Sequence, residues 1–150
     1  MKVQNPNFET RVRDSFARQA FMDKLGVRLV DVSVGSVEME LDYNPDLCQQ
    51  HGYFHGGVIG TMADNAGGYA AFTLMNAEDS ILTVEYKINL MAPGNGDKLV
   101  AIGRVKKPGR TLTICEVDVW IEKDGQQKLC ATALCTLMTM KGHSDEQSKK

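Results

Sequence analysis

The run from His55 to Gly68 constrains this chain more than any other segment: a histidine, paired glycines and one aspartate sit where the flanking residues read as a buried helix. Helix interiors seldom carry Gly60, Gly67 and Gly68 together, because each glycine costs roughly 1 kcal/mol relative to alanine, or about 3 kcal/mol for the three. Packing must return that energy. Small residues let a helix approach another backbone closely, so the segment is expected to lie against a sheet. Asp64 has Gly60, Thr61, Gly67 and Gly68 as its helical neighbours, and none is a cation. No ion pair along the helix accounts for it.

The rest of the chain supplies the sheet. The four-residue recurrence of Phe8, Val12, Phe16 and Ala20 predicts an opening helix, with Asn7 as its cap and Gly26 as its stop. Val30, Val32 and Val34 alternate with polar residues, and so do Val37, Met39, Leu41 and Tyr43, with Gly35-Ser36 at a hairpin position between them. Residues 44–54 read as a loop, and the central helix is expected from about His55 to Met75. Four strands follow. The first carries Leu82, Val84, Tyr86, Ile88 and Leu90 in alternation. The next runs from Lys98 to Lys106, then Thr111 to Glu122, then Lys128 to Met140, separated by Pro93–Asp97, Pro108-Gly109 and Asp124-Gly125. This order predicts an α+β fold with an antiparallel sheet, one domain over 1–140, and a polar, mobile tail over 141–150.

Composition removes several function classes. A chain of 150 residues suits one domain with a proper core. A net charge of −2 argues against a general nucleic-acid binder. No apolar run has spanning length, and the first residues lack the apolar core of a signal peptide, so a cytoplasmic protein without membrane attachment is expected. Cys48, Cys115, Cys130 and Cys135 form no Cys-x-x-Cys pair and read as reduced packing residues. Cys48, His51, His55 and Asp64 include metal-ligand types, but Gly52-Tyr53-Phe54 separates the histidines within a loop, and no metal is expected. Gly94-x-Gly96 lacks the third glycine and the helix of a dinucleotide fingerprint.

Three motifs in this order resemble the hotdog-fold acyl-CoA thioesterases, most closely the phenylacetate-degradation (PaaI-like) branch: His55-Gly56-Gly57 with Asp64, Thr83-Val84-Glu85-Tyr86, and Pro108-Gly109-Arg110-Thr111. The likeness runs from about Phe16 to Met140. It implies an antiparallel sheet wrapped around a long central helix, and hydrolysis of acyl-CoA to free acid and CoA without a cofactor. It also implies a homodimer or homotetramer with its sites between subunits. By resemblance, Asp64 is the base or nucleophile, Gly56 supplies an oxyanion-binding N–H, and Gly57 lies beside it on the substrate side. His55 positions the carbonyl or the loop that holds Gly56, and Thr83 orients water or the sulfur side. The family's usual asparagine six residues before the histidine is here Gln49, the same amide on a longer arm. Lys106, Lys107 and Arg110 correspond to a turn that meets the phosphates of CoA.

Elementary chemistry agrees with that assignment. Thioester hydrolysis needs a base or nucleophile and a donor for the developing oxyanion. A helix start offers unpaired N–H groups and a positive dipole end, and one such donor is worth about 2.7–4 kcal/mol in the barrier. Gly56 and Asp64 lie roughly 12 Å apart along one helix at ~1.5 Å per residue, so they cannot serve one carbonyl from the same chain. An antiparallel helix from a second subunit would bring them together. Other readings stay open on the residues alone. Asp64 could be a bonded buried aspartate, His55 a helix cap, Thr83 a good strand former and the three cations a solvated turn. A hydratase or dehydratase on the same fold, or a non-catalytic acyl-CoA-binding protein, are the competing functions. Tyr53, Phe54, Tyr69, Phe72 and Met75 are candidates for a pocket wall.

Overall fold

A computed structural model describes residues 1–145. Helices α1 (Phe8–Ala17) and α2 (Ala20–Leu25) precede strands β1 (Arg28–Ser33) and β2 (Ser36–Asp42). A short 3-10 turn, Pro45–Leu47, leads to α3 (Gly56–Phe72). The remaining strands are β3 (Ser80–Leu90), β4 (Lys98–Lys107), β5 (Leu112–Lys123) and β6 (Gln126–Met140). They form one six-stranded antiparallel sheet in the order β1-β2-β4-β5-β6-β3.

The opening segment differs from the single helix expected through Ala20. It breaks at Arg18 and Gln19, and Gln19 adopts an extended conformation before α2. Val12 and Met22 are both fully buried. On one continuous helix at about 100° per residue they would point some 80° apart, so the break lets both reach the core. Asn7 makes no side-chain cap; instead Asn5 Oδ1 accepts the Asn7 N–H at 3.0 Å. Gly26 ends α2 at φ 79°, in the left-handed conformation that favours glycine. In β1, a bulge between Leu29 and Asp31 turns Val30 outward and leaves Val32 in the core.

Helix α3 packs against β2, β3, β4, β5 and β6. Two glycines set the closeness of that approach. A Cβ on Gly103 of β4 would sit 2.2 Å from the Ala66 carbonyl oxygen. A Cβ on Gly67 would meet Val117 Cγ2 at 3.1 Å and Cys135 Sγ at 3.2 Å. Burial of Ile59, Met62 and Phe72 offsets the helical cost of the glycines. Each contributes about 1.5–3 kcal/mol, against roughly 3 kcal/mol for three glycines. Cys115, Cys130 and Cys135 are buried free thiols in this core.

β3 departs most from its expected pattern. Strict alternation places Leu82, Val84, Tyr86, Ile88 and Leu90 on one face. The structure has a bulge at Val84, between Thr83 and Glu85, and the strand changes face there. Thr83 pairs with Leu137, and Tyr86, Ile88 and Leu90 pair with Cys135, Ala133 and Ala131, all on the side of α3. Leu82 pairs with Met138 on the other side. β3 is also a sheet edge, and Leu82, Val84, Tyr86 and Leu90 remain 54%, 54%, 44% and 55% exposed. Past β6, the Gly142 N–H donates to Asp79 Oδ1, and Asp145 pairs with Arg18. The last five residues of the expected tail, 146–150, lie outside the described residues. Among the described residues, no helix is long and apolar enough to cross a membrane.

Candidate active site

The start of α3 is fixed from both sides. The His55 N–H donates to the Leu47 carbonyl at 3.0 Å, and the Phe54 N–H to the Gly94 carbonyl at 2.9 Å. His55 is the N-cap, and its Nδ1 accepts the Gly57 N–H at 2.8 Å. That bond requires an unprotonated Nδ1, so the ring proton sits on Nε2. It also leaves the half-buried Gly56 N–H without a protein partner among the described residues. Leu90 Cδ1 lies 3.0 Å from where a Gly56 Cβ would be, so β3 borders this N–H.

Gly56, Gly60, Asp64 and Gly68 recur every fourth residue and form a stripe along α3. β3 lies beside this stripe: Leu90 at Gly56, Tyr86 at Gly60 with its hydroxyl 3.3 Å from a built Cβ, and Thr83 at Asp64. Thr83 Oγ1 donates to Asp64 Oδ1 at 2.7 Å. Asp64 Oδ2 has no protein partner among the described residues. Burial first, and the Asp64 charge second, push the Cys135 thiol beneath it up to about 11.

Asp64 and Thr83 open onto a cleft of about 580 Å³. Asn65, Gly68, Tyr69 and Phe72 continue its floor along α3, and Ile81 joins Thr83 on the β3 side. Ser15, Arg18, Gln19 and Asp145 close its far end. Tyr69 and Phe72 thus line the cleft, as expected for a pocket wall, whereas Phe54 and Met75 lie in the core outside it. Sequence reasoning missed Ser15, Arg18 and Asp145, which come from segments far from the motifs. Tyr86 could have been found from the four-residue glycine stripe, which calls for a bulky neighbour.

The remaining expected residues are dispersed. Gln49 directs Oε1 to its own loop, accepting from the His51 backbone N–H and lying 3.1 Å from His51 Nδ1. Lys106 forms an ion pair with Glu116 at 2.6 Å. Lys107 and Arg110 are exposed. Their turn lies toward the C-terminal end of α3, because the Val105 N–H bonds the Gly35 carbonyl and the Gly35 N–H bonds Thr73 Oγ1, each at 2.8 Å. Within one chain the turn is therefore at the opposite end of α3 from Gly56. Among the described residues, no three His, Cys, Asp or Glu side chains converge to hold a metal ion.

Comparison with known proteins bears on this geometry. The thioesterase family protein from Silicibacter pomeroyi is 43% identical, with a TM-score of 0.88 over 89% of this chain and 98% of that one. The PaaI protein of the E. coli phenylacetic acid degradation operon has the same fold, with a TM-score of 0.83 at 18% identity over 93% of this chain and 98% of that one. The 1,4-dihydroxy-2-naphthoyl-CoA hydrolase of Listeria monocytogenes is 23% identical, covering 79% of this chain and 94% of the relative. The family model for the thioesterase superfamily matches residues 51–128, which span the capped helix start, Asp64 and strands β3 to β5. The chain belongs to the thioesterase superfamily: it is a thioester hydrolase, and it shares the hotdog fold of the E. coli PaaI protein.

Proposed function

We propose that this protein hydrolyses acyl-CoA thioesters at sites shared between two of its subunits, with Asp64 of one chain acting on a carbonyl held by the Gly56 N–H of the other. The observation that carries the reading is the Thr83–Asp64 hydrogen bond at the mouth of the cleft: it fixes one carboxylate oxygen and leaves the other free toward a substrate. The Gly56 N–H at the dipole end of α3 is the matching donor for an oxyanion.

A second copy satisfies two demands at once. It supplies the Asp64 that the same-chain separation of roughly 12 Å withholds from Gly56. It also covers β3, whose long apolar edge is otherwise a template for uncontrolled strand pairing. Two-fold symmetry places β3 beside its own copy and runs the two α3 helices antiparallel. The Lys107 and Arg110 turn of one chain then comes toward the Gly56 end of the other, where the CoA phosphates would lie.

In the reaction, the free oxygen of Asp64 takes a proton from water as that water attacks the thioester carbon. The oxyanion collapses, the C–S bond breaks, and CoA leaves with a proton. In the alternative route Asp64 itself attacks, and water then hydrolyses the mixed anhydride. Both routes use the same carboxylate and donor. A hydratase would call for a paired histidine and carboxylate, whereas His55 Nδ1 is engaged by Gly57 and Asp64 by Thr83. The deciding experiment is a panel of acyl-CoA substrates followed by release of free thiol. Release above the uncatalysed rate is expected for at least one member. Release from none would overturn the proposal.

A further inference from the structure

The far end of the Asp64 cleft is a cluster of hydrogen-bond donors directed at one carboxylate oxygen. Asp145 Oδ2 accepts from Arg18 Nη2 at 2.8 Å and from the Ser15 hydroxyl. Because Ser15 gives its proton to a carboxylate, which can only accept, the Tyr69 hydroxyl 3.2 Å away must donate to Ser15. The donors therefore run in sequence from Tyr69 through Ser15 to the carboxylate, with the Arg18 guanidinium beside them. Burial raises Tyr69 above the usual phenol range, which keeps it a neutral donor. Phe16 and Phe72 hold its ring by edge contacts at 5.8 and 6.0 Å. Ser15 and Tyr69 are buried, at 9% and 5% exposure, so this is an organised site and not a chance surface pair.

Its occupant is a residue of the chain's own C-terminal segment, beyond the last strand. Asp145 and the catalytic candidate Asp64 line the same cleft, from opposite ends. We infer that this cluster is a carboxylate-binding subsite for the distal end of the acyl group, and that Asp145 fills it until a substrate displaces it. The substrate class is then the ω-carboxyacyl-CoA thioesters, the mono-CoA esters of dicarboxylic acids. Asp145 acts as a tethered competitor. A purely aliphatic acyl chain gains nothing from Arg18 or Ser15 and leaves Asp145 in place. The inference rests on the acyl-CoA reading above and adds the chemistry of the acyl end.

The test separates binding from turnover. Asp64→Asn protein, which keeps the shape of the site, is titrated calorimetrically with succinyl-, adipoyl-, suberoyl- and sebacoyl-CoA. The neutral acyl-CoAs of equal chain length serve as the comparison. At the length that spans the cleft, the carboxylated ligand is expected to bind about fivefold or more tightly, the scale of a charge-assisted pair that is partly exposed. Adding Arg18→Gln should abolish that preference, and adding Asp145→Asn should widen it by removing the competing charge. Equal affinity at every length, or a preference that Arg18→Gln leaves intact, overturns the inference. Thiol release by the unaltered protein is measured in parallel. Hydrolysis of the neutral series without a carboxylate preference in binding would sink this subsite and leave the thioesterase proposal standing, and no hydrolysis of either series would sink the latter.

Discussion

Thr83 Oγ1 lies 2.7 Å from Asp64 Oδ1, so a hydroxyl on a sheet edge fixes a carboxylate in the middle of α3. The bulge at Val84 makes the contact. Without it Thr83 would share a face with Glu85 and point away from the helix. Bulges re-aim side chains in this way beside functional sites.

Asp64→Asn preserves shape and removes both base and nucleophile. Turnover should fall by at least about 100-fold, the lower end of what a positioned acid–base group supplies. Thr83→Ala should cost less, up to roughly tenfold, because it frees Asp64 without deleting it. Thr83→Ser should restore most of that loss. Steady-state kinetics on one acyl-CoA checks all three. Full turnover in a folded Asp64→Asn protein would falsify the assignment.

What was legible in the sequence follows from what local pattern records. The glycines, His55 and Asp64 declared α3, and hairpin residues placed the strands to within a few positions. A bulge is one residue of register, and it leaves no mark in an alternating run such as Leu82, Val84, Tyr86. The face occupied by Thr83 therefore came only with the structure. The split between α1 and α2 was hidden for a similar reason, since Phe16 and Ala20 keep helical spacing across it. The far end of the cleft joins Ser15 and Arg18 to Asp145, some 130 residues away in sequence. No local pattern encodes such a meeting. Lys106, Lys107 and Arg110 look equivalent in sequence, yet Glu116 neutralises only Lys106 among them.

The glycines of the helix–sheet contact should separate by their surroundings. Gly103→Ala drives a Cβ into the Ala66 carbonyl oxygen, rigid backbone at 2.2 Å. It should destabilise by about 1–3 kcal/mol or prevent folding. A Cβ on Gly68 meets nothing within 4 Å. Gly68→Ala should instead gain up to about 1 kcal/mol of helix propensity. Urea denaturation of the two variants should shift the midpoint in opposite directions.

Burial pushes the Cys115 thiol up to about 12 and the Cys130 and Cys135 thiols to about 11. These groups stay protonated near neutral pH, and the thiolate is the reactive form. Cys48 is only half-buried, at a loop position. A thiol reagent should therefore find one fast cysteine per native chain and the other three only after unfolding. Cys48→Ser should remove the fast phase. A fast phase that persists would mean that the core opens on the labelling timescale.

The shared site can be tested by complementation. Asp64→Asn removes the carboxylate. Gly56→Pro removes the donor N–H at the first helical position, where proline is tolerated, and a Cβ there meets the flexible end of Leu90. Each variant alone should be inactive. Mixed dimers should regain activity, because one of their two sites combines the Gly56 of one chain with the Asp64 of the other. Val84→Lys at the exposed β3 edge should weaken assembly and activity together, since a charge there opposes strand pairing. An active monomer in sedimentation would defeat the shared site.

The turn carrying Lys107 and Arg110 should act on the nucleotide and not on the bond that breaks. Both cations are exposed, so their pull on the CoA phosphates is screened beyond about 8–10 Å in physiological salt. Replacing both with alanine should raise KM for acyl-CoA several-fold and leave kcat close to normal, the pattern of lost uniform binding. Lys106→Ala should have a smaller effect, because its charge is already paired with Glu116. An acyl-pantetheine, which lacks the nucleotide phosphates, should show no such rise in KM. Added salt should weaken acyl-CoA binding to the parent more than to the double variant. An equal loss on both substrates would assign the turn to the fold instead of the nucleotide.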